Sequence, residues 1–75
     1  MDQNIRLTSR CWGKQSWPEL VGVCGELAKA IIEKENPWVT AVLVPPATPT
    51  RDFRCDRVIV YVDDKGIVTS VPRVA

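Results

Sequence analysis

The chain has 75 residues, 45% of them apolar, with ten basic and nine acidic side chains and a formal charge of +1. That length allows one domain, residues 1–75, and the apolar share marks a folding chain rather than a disordered one. The even charge balance speaks against a nucleic-acid partner, which selects a basic stripe, and no apolar run approaches the ~20 residues of a membrane-spanning helix. A domain this small buries a limited share of its surface, so a covalent staple would help it. Three cysteines are present, Cys11, Cys24 and Cys55. The odd count leaves at least one thiol free or paired between molecules. Histidine is absent. With the cysteines far apart, this removes His-based triads, His zinc ligands and CxxC redox motifs. Neither a metal nor a cofactor is expected.

Residues 1–10 are polar and show no period, and residues 1–8 read as a loose tail. They also lack the apolar stretch of a signal peptide, so a secretion signal has either been removed or never existed. Residues 11–22 mix aromatics with Gly and Pro and read as ordered but irregular. Trp17, Leu20 and Val21 are expected on the core. For Trp12, packing and a partly exposed ring are equally good readings.

Residues 24–36 form the helix candidate. Leu27, Ala28, Ala30, Ile31 and Ile32 give a broad apolar face at helical spacing. Glu26 suits the positive end of the helix dipole, and Pro37 ends the helix, with Asn36 biased away from helical angles. Cys24 stands at the N-cap, where Ser, Thr, Asp or Asn would serve better. A thiol there can be activated by the helix terminus, but an inert small side chain is the stronger reading.

Residues 38–44 read as a strand from their β-branched and apolar content, and Pro45-Pro46 ends it. Residues 57–62 read as a second strand, with Val58, Val60 and Val62 on one face and Ile59 and Tyr61 on the other. Asp63-Asp64-Lys65-Gly66 is a turn, with Gly66 free to take positive φ, and residues 67–71 read as a short last strand. The second and third strands should pair antiparallel across that turn. Between the first two runs lie about a dozen polar residues, long enough to join parallel strands. The fold class is therefore α+β, one helix packed on a small mixed sheet with a wide loop at one end. A small domain rarely spends this much chain on an open polar connection unless the connection carries the function.

Three segments then align with a known family. They are Trp17-Pro18-Glu19-Leu20-Val21-Gly22, Arg51-Asp52-Phe53-Arg54-Cys55-Asp56-Arg57-Val58 and Val71-Pro72-Arg73-Val74. In order and spacing the chain resembles the potato type I serine protease inhibitors of plants, including the flax and buckwheat seed inhibitors. The resemblance runs from Ser9 to Ala75. It implies a long exposed inhibitory loop between two parallel strands, with the reactive bond between Arg51 and Asp52. It implies that Thr48, Pro49, Thr50, Arg51, Asp52, Phe53 and Arg54 contact the protease. Thr50 and Asp52 would bond to supporting arginines, Arg57 and Arg73. Cys11 and Cys55 would form a disulfide, leaving Cys24 free. The protein would be an inhibitor and not an enzyme, a monomer unless Cys24 links two copies, and extracellular or vacuolar in a plant.

The chemistry of the residues agrees. Arg51 has the charge and length for the acidic pocket of a trypsin-like enzyme, although a lone arginine is usually just a solvated charge. Pro49 stiffens its neighbourhood, as any loop proline would. The chain departs from the family in two places. The stretch from Val44 to Arg51 is about one residue shorter and holds Pro45-Pro46-Ala47 where a glycine is usual. Ile59 stands where some members place a second supporting arginine, so a single arginine brace predicts a softer loop. Two other readings compete. One is a subtilisin-directed inhibitor of the same fold, and the other is a thiol-dependent interaction protein acting through Cys24. A hydrolase is a poor reading, since Asp52 and Asp56 have no base or metal cluster beside them.

Overall fold

The computed structural model describes residues 11–50 and 52–75. The tail of residues 1–8 and Arg51 lie outside the described residues. A 3₁₀ turn at Pro18–Leu20 precedes helix α1, Gly25–Glu35. Strands follow at Thr40–Val44 (β1), Arg57–Tyr61 (β2) and Arg73–Val74 (β3). They form one mixed sheet in the order β1-β2-β3. β1 and β2 are parallel, from Thr40 opposite Arg57 to Val44 opposite Tyr61, and β3 is antiparallel to β2.

Period-two alternation splits β2 cleanly. Val58 and Val60 are fully buried under α1 with Ala41, while Arg57, Ile59 and Tyr61 share the opposite face. Trp17, Leu20, Ala28, Ile32, Val39 and Val68 complete the core. The helix is narrower in its contact than its sequence suggests. Gly25, Ala28 and Ile32 form the buried stripe, whereas Leu27 and Ala30 are exposed. At about 100° per residue, Ala30 falls nearly opposite that stripe, and a three-stranded sheet is too narrow to cover Leu27. Val21 is also exposed, against expectation. A 3₁₀ turn has about three residues per turn, so Trp17 and Leu20 point inward together and Val21 rotates away.

β1 is an edge strand, and α1 guards it. Lys29 Nζ donates to the Ala41 carbonyl at 2.8 Å, and the Ala41 N–H donates to Glu33 Oε2 at 2.9 Å. Two helix side chains thereby occupy main-chain groups that would otherwise template a foreign strand.

The last strand differs from the reading of residues 67–71. The turn forms as expected, with Gly66 at φ 81° and its N–H bonded to Asp63 O at 2.9 Å. Beyond it, Ile67 and Val68 make only single bridges, to Cys24 and Val62. The residues before the helix compete for this segment, since Val68 N–H donates to Val23 O and Gly22 N–H to Val68 O. Pro72 has no N–H to continue a ladder. Arg73–Val74 then pairs with the start of β2 on one side. On its other side Ser16 forms a bridge with Arg73, and Val74 N–H donates to Gln15 O.

Candidate functional site

Parallel pairing dictates where the loop between β1 and β2 must go. The chain leaves β1 at Val44, beside Tyr61, and must travel back about five residues of strand, roughly 17 Å, to enter β2 at Arg57. The loop therefore runs opposite to β2. Its early residues meet the end of β2 and its late residues meet the start.

The side chains follow that order. Arg57 reaches the late part of the loop. Its Nη2 donates to the Asp52 main-chain oxygen at 2.8 Å and to Asp52 Oδ1 at 3.2 Å. Its Nε donates to the Ala75 main-chain oxygen at 3.1 Å, so one guanidinium ties the loop to the far end of the chain. Tyr61 reaches the early part, its hydroxyl donating to the Thr48 carbonyl at 3.0 Å. Sequence reasoning missed this contact. The available signal was a phenol on the same face of β2 as Arg57, two alternations along.

The loop also braces itself. Thr48 donates through its N–H and its Oγ to Pro45 O, at 3.3 and 2.6 Å. The turn so closed holds Ala47 at φ 64°, a left-handed conformation that glycine takes freely and alanine does not. On the far side Arg54 and Asp56 form a bidentate pair, both bonds 3.0 Å. The Arg54 hydrogen bond holds the Asp56 carboxyl below its ordinary range. Cys55 is joined to Cys11 by a disulfide, with Cα atoms 4.9 Å apart and a sequence separation of 44. Cys24 is free and exposed. It sits at the helix N-cap without a side-chain cap bond.

The described residues expected to contact a partner lie at or near the surface. Pro49, Thr50, Asp52, Phe53 and Arg54 are exposed, and Thr48 is half-buried. Phe53 is 66% exposed, far more than an aromatic ring needs to be for packing. Arg57 is brought to Asp52. Among the described residues the Thr50 hydroxyl meets neither Arg57 nor Arg73, and Arg73 acts through its main chain in β3. Arg51 lies outside the described residues, between Thr50 and Asp52.

Comparison with known proteins decides the family, because the Potato inhibitor I family profile matches residues 9–75. The chain belongs to the potato inhibitor I family. It is 57% identical over 67 residues to the inhibitor of trypsin and Hageman factor of Cucurbita maxima, covering 88% of this chain and 98% of that one. It is also 57% identical over 67 residues to the Glu S. griseus protease inhibitor of Momordica charantia, with the same coverage. The crystal structure of bitter gourd trypsin inhibitor superposes with a TM-score of 0.83 at 54% identity, covering 89% of this chain and all of that one. Members of the potato inhibitor I family are protease inhibitors, and the chain is an inhibitor rather than an enzyme. The chain is equally identical to these two relatives, which are named for different proteases, so its overall similarity does not single out a target. The loop must be read for that.

Proposed function

We propose that the chain inhibits trypsin-like serine endopeptidases by presenting the Arg51–Asp52 bond as a substrate that is held and poorly released. The observation that supports this best is the grip of Arg57 on Asp52, through both its main-chain oxygen and its carboxylate. A protease serine would attack the Arg51 carbonyl, forming an acyl-enzyme ester and freeing the Asp52 amine. An unbraced product would diffuse away. With Asp52 tied to β2 through Arg57, and Cys55 tied to Cys11, the amine stays beside the ester. It can attack the ester, re-form the amide and return the serine hydroxyl. Ordering that is met before binding is not charged to affinity, so a stiff loop binds tightly as well as surviving.

Arg51 is the residue that assigns the target, since a long cation suits an acidic specificity pocket. Inhibition constants for trypsin, chymotrypsin and subtilisin test the assignment. Arg51→Ala should weaken trypsin inhibition by about three orders of magnitude, as for a buried anchor residue. Arg51→Leu should shift preference to chymotrypsin. Wild-type inhibition confined to subtilisin would move the target while keeping the loop. Loss of activity in Cys24→Ser would instead mean a thiol-dependent protein. The disulfide fits an oxidising compartment, and we assign the chain to an extracellular or vacuolar setting on that ground. Fractionation of the source tissue checks it. The working unit in this proposal is a monomer, with Cys24 able to link two copies when oxidised.

A further inference from the structure

Thr48 is more completely tied than a half-buried loop residue needs to be. Its N–H and its Oγ both donate to Pro45 O, and its carbonyl accepts from the Tyr61 hydroxyl at 3.0 Å. All three of its polar groups are engaged. The residue before it, Ala47, is held at φ 64°, where an L side chain is disfavoured. A turn in that conformation, left to itself, would relax toward other backbone states. Something outside the turn must help to hold it, and the Tyr61 hydroxyl is the contact that comes from the sheet.

The placement of Tyr61 gives the bond its meaning. Arg57, Ile59 and Tyr61 alternate along one face of β2, the central strand of the sheet. Arg57 bonds to Asp52, just after position 51, and Tyr61 bonds to Thr48, three positions before it. Ile59, between them, has no donor to offer. The phenol at the end of the strand supplies the donor that reaches the early limb. The loop runs opposite to β2, so its early limb meets that end.

We infer that Tyr61 is a positioning residue for inhibition: through Thr48 it fixes the course of the limb leading into position 51. The inference rests on the reading of Arg51–Asp52 as the presented bond. With Tyr61 and Arg57 in place the loop is pinned on both sides of that bond. Without the hydroxyl only the late limb is pinned. The early limb then moves relative to the enzyme, and both dissociation and slow cleavage gain.

The test compares Tyr61→Phe and Arg51→Ala with the wild type against bovine trypsin, well below the melting temperature of each protein. Loss of one neutral hydrogen bond should speed dissociation and cleavage at Arg51–Asp52 about three- to tenfold, with association unchanged within about twofold. Amide exchange in the free Tyr61→Phe protein should accelerate at Thr48, whose N–H donates to Pro45 O, and stay unchanged in α1. Dissociation and cleavage both unchanged, while Arg51→Ala abolishes binding, would overturn the positioning role. So would faster exchange throughout the domain, which marks a general stabilising contact. If Arg51→Ala still inhibits trypsin, the assignment of the presented bond fails. Exchange at Thr48 then still decides the brace, with no acceleration rejecting it.

Discussion

Asn36 is fully buried and polar, and its side chain is satisfied on every side. Its Nδ2 donates to the Trp12 carbonyl at 2.8 Å and the Lys14 carbonyl at 2.9 Å, and its Oδ1 accepts from Trp38 N–H at 2.9 Å. Gly13 passes so close that a Cβ there would lie 2.8 Å from Nδ2, and its φ of 78° also selects glycine. Asn36→Leu would leave two carbonyls and an N–H without partners, at a cost of about 2–4 kcal/mol. Urea denaturation at neutral pH measures it, and a change within experimental error would contradict the role assigned to the amide. Read in sequence, Asn36 is the residue before Pro37 and nothing more. The two carbonyls it holds, of Trp12 and Lys14, are more than twenty positions earlier, so only the folded chain reveals why an amide stands there. The same holds for Tyr61, whose bond to Thr48 spans the loop. Trp12 is settled in the same way. It is 65% exposed, with its ring 5.8 Å from that of Trp38.

The helix does two jobs with two faces. Its apolar stripe shares the core with Ala41, Val58 and Val60, and Lys29 and Glu33 on its flank close the edge of β1. Glu33 is held below its ordinary value of 4.5, first by the Ala41 N–H and then by Lys29. A carboxylate so depressed takes up its proton more readily in the unfolded chain. Its contribution is present above 4.5 and is lost as pH falls through the lower, folded value. Thermal stability should therefore decline as pH falls below 4.5, and Glu33→Gln should flatten that decline. Melting curves across that range check the sign, and an equal slope in both proteins would remove Glu33 from the account. Helix, parallel pair and turn were all legible in sequence, because each is written in local periodicity and in Pro and Gly. β3 was not. Residues 67–71 have strand composition, but the ladder partner of β2 is Arg73–Val74. Composition cannot report that residues 22–24 take the intervening segment first.

At the scale of the whole molecule the loop is held from three directions: by β2 beneath it, by Ala75 through Arg57, and by the N-terminal segment through Cys11–Cys55. Closing a ring of this size stabilises by roughly 4 kcal/mol in the chain-entropy model. Reduction should lower the denaturant midpoint accordingly and speed trypsin cleavage of the loop, with reduced wild type and Cys11→Ser/Cys55→Ser behaving alike. A reduced protein as resistant as the oxidised one would show that the side-chain braces suffice alone. The chain's own residues determined the class of fold and the long polar loop with its arginines, because these depend on local pattern and residue type. The tertiary structure decided which side chains hold that loop. Parallel strands force the loop to run back along β2, so Tyr61 meets Thr48 and Arg57 meets Asp52, pairings set by three-dimensional register rather than by any spacing along the chain.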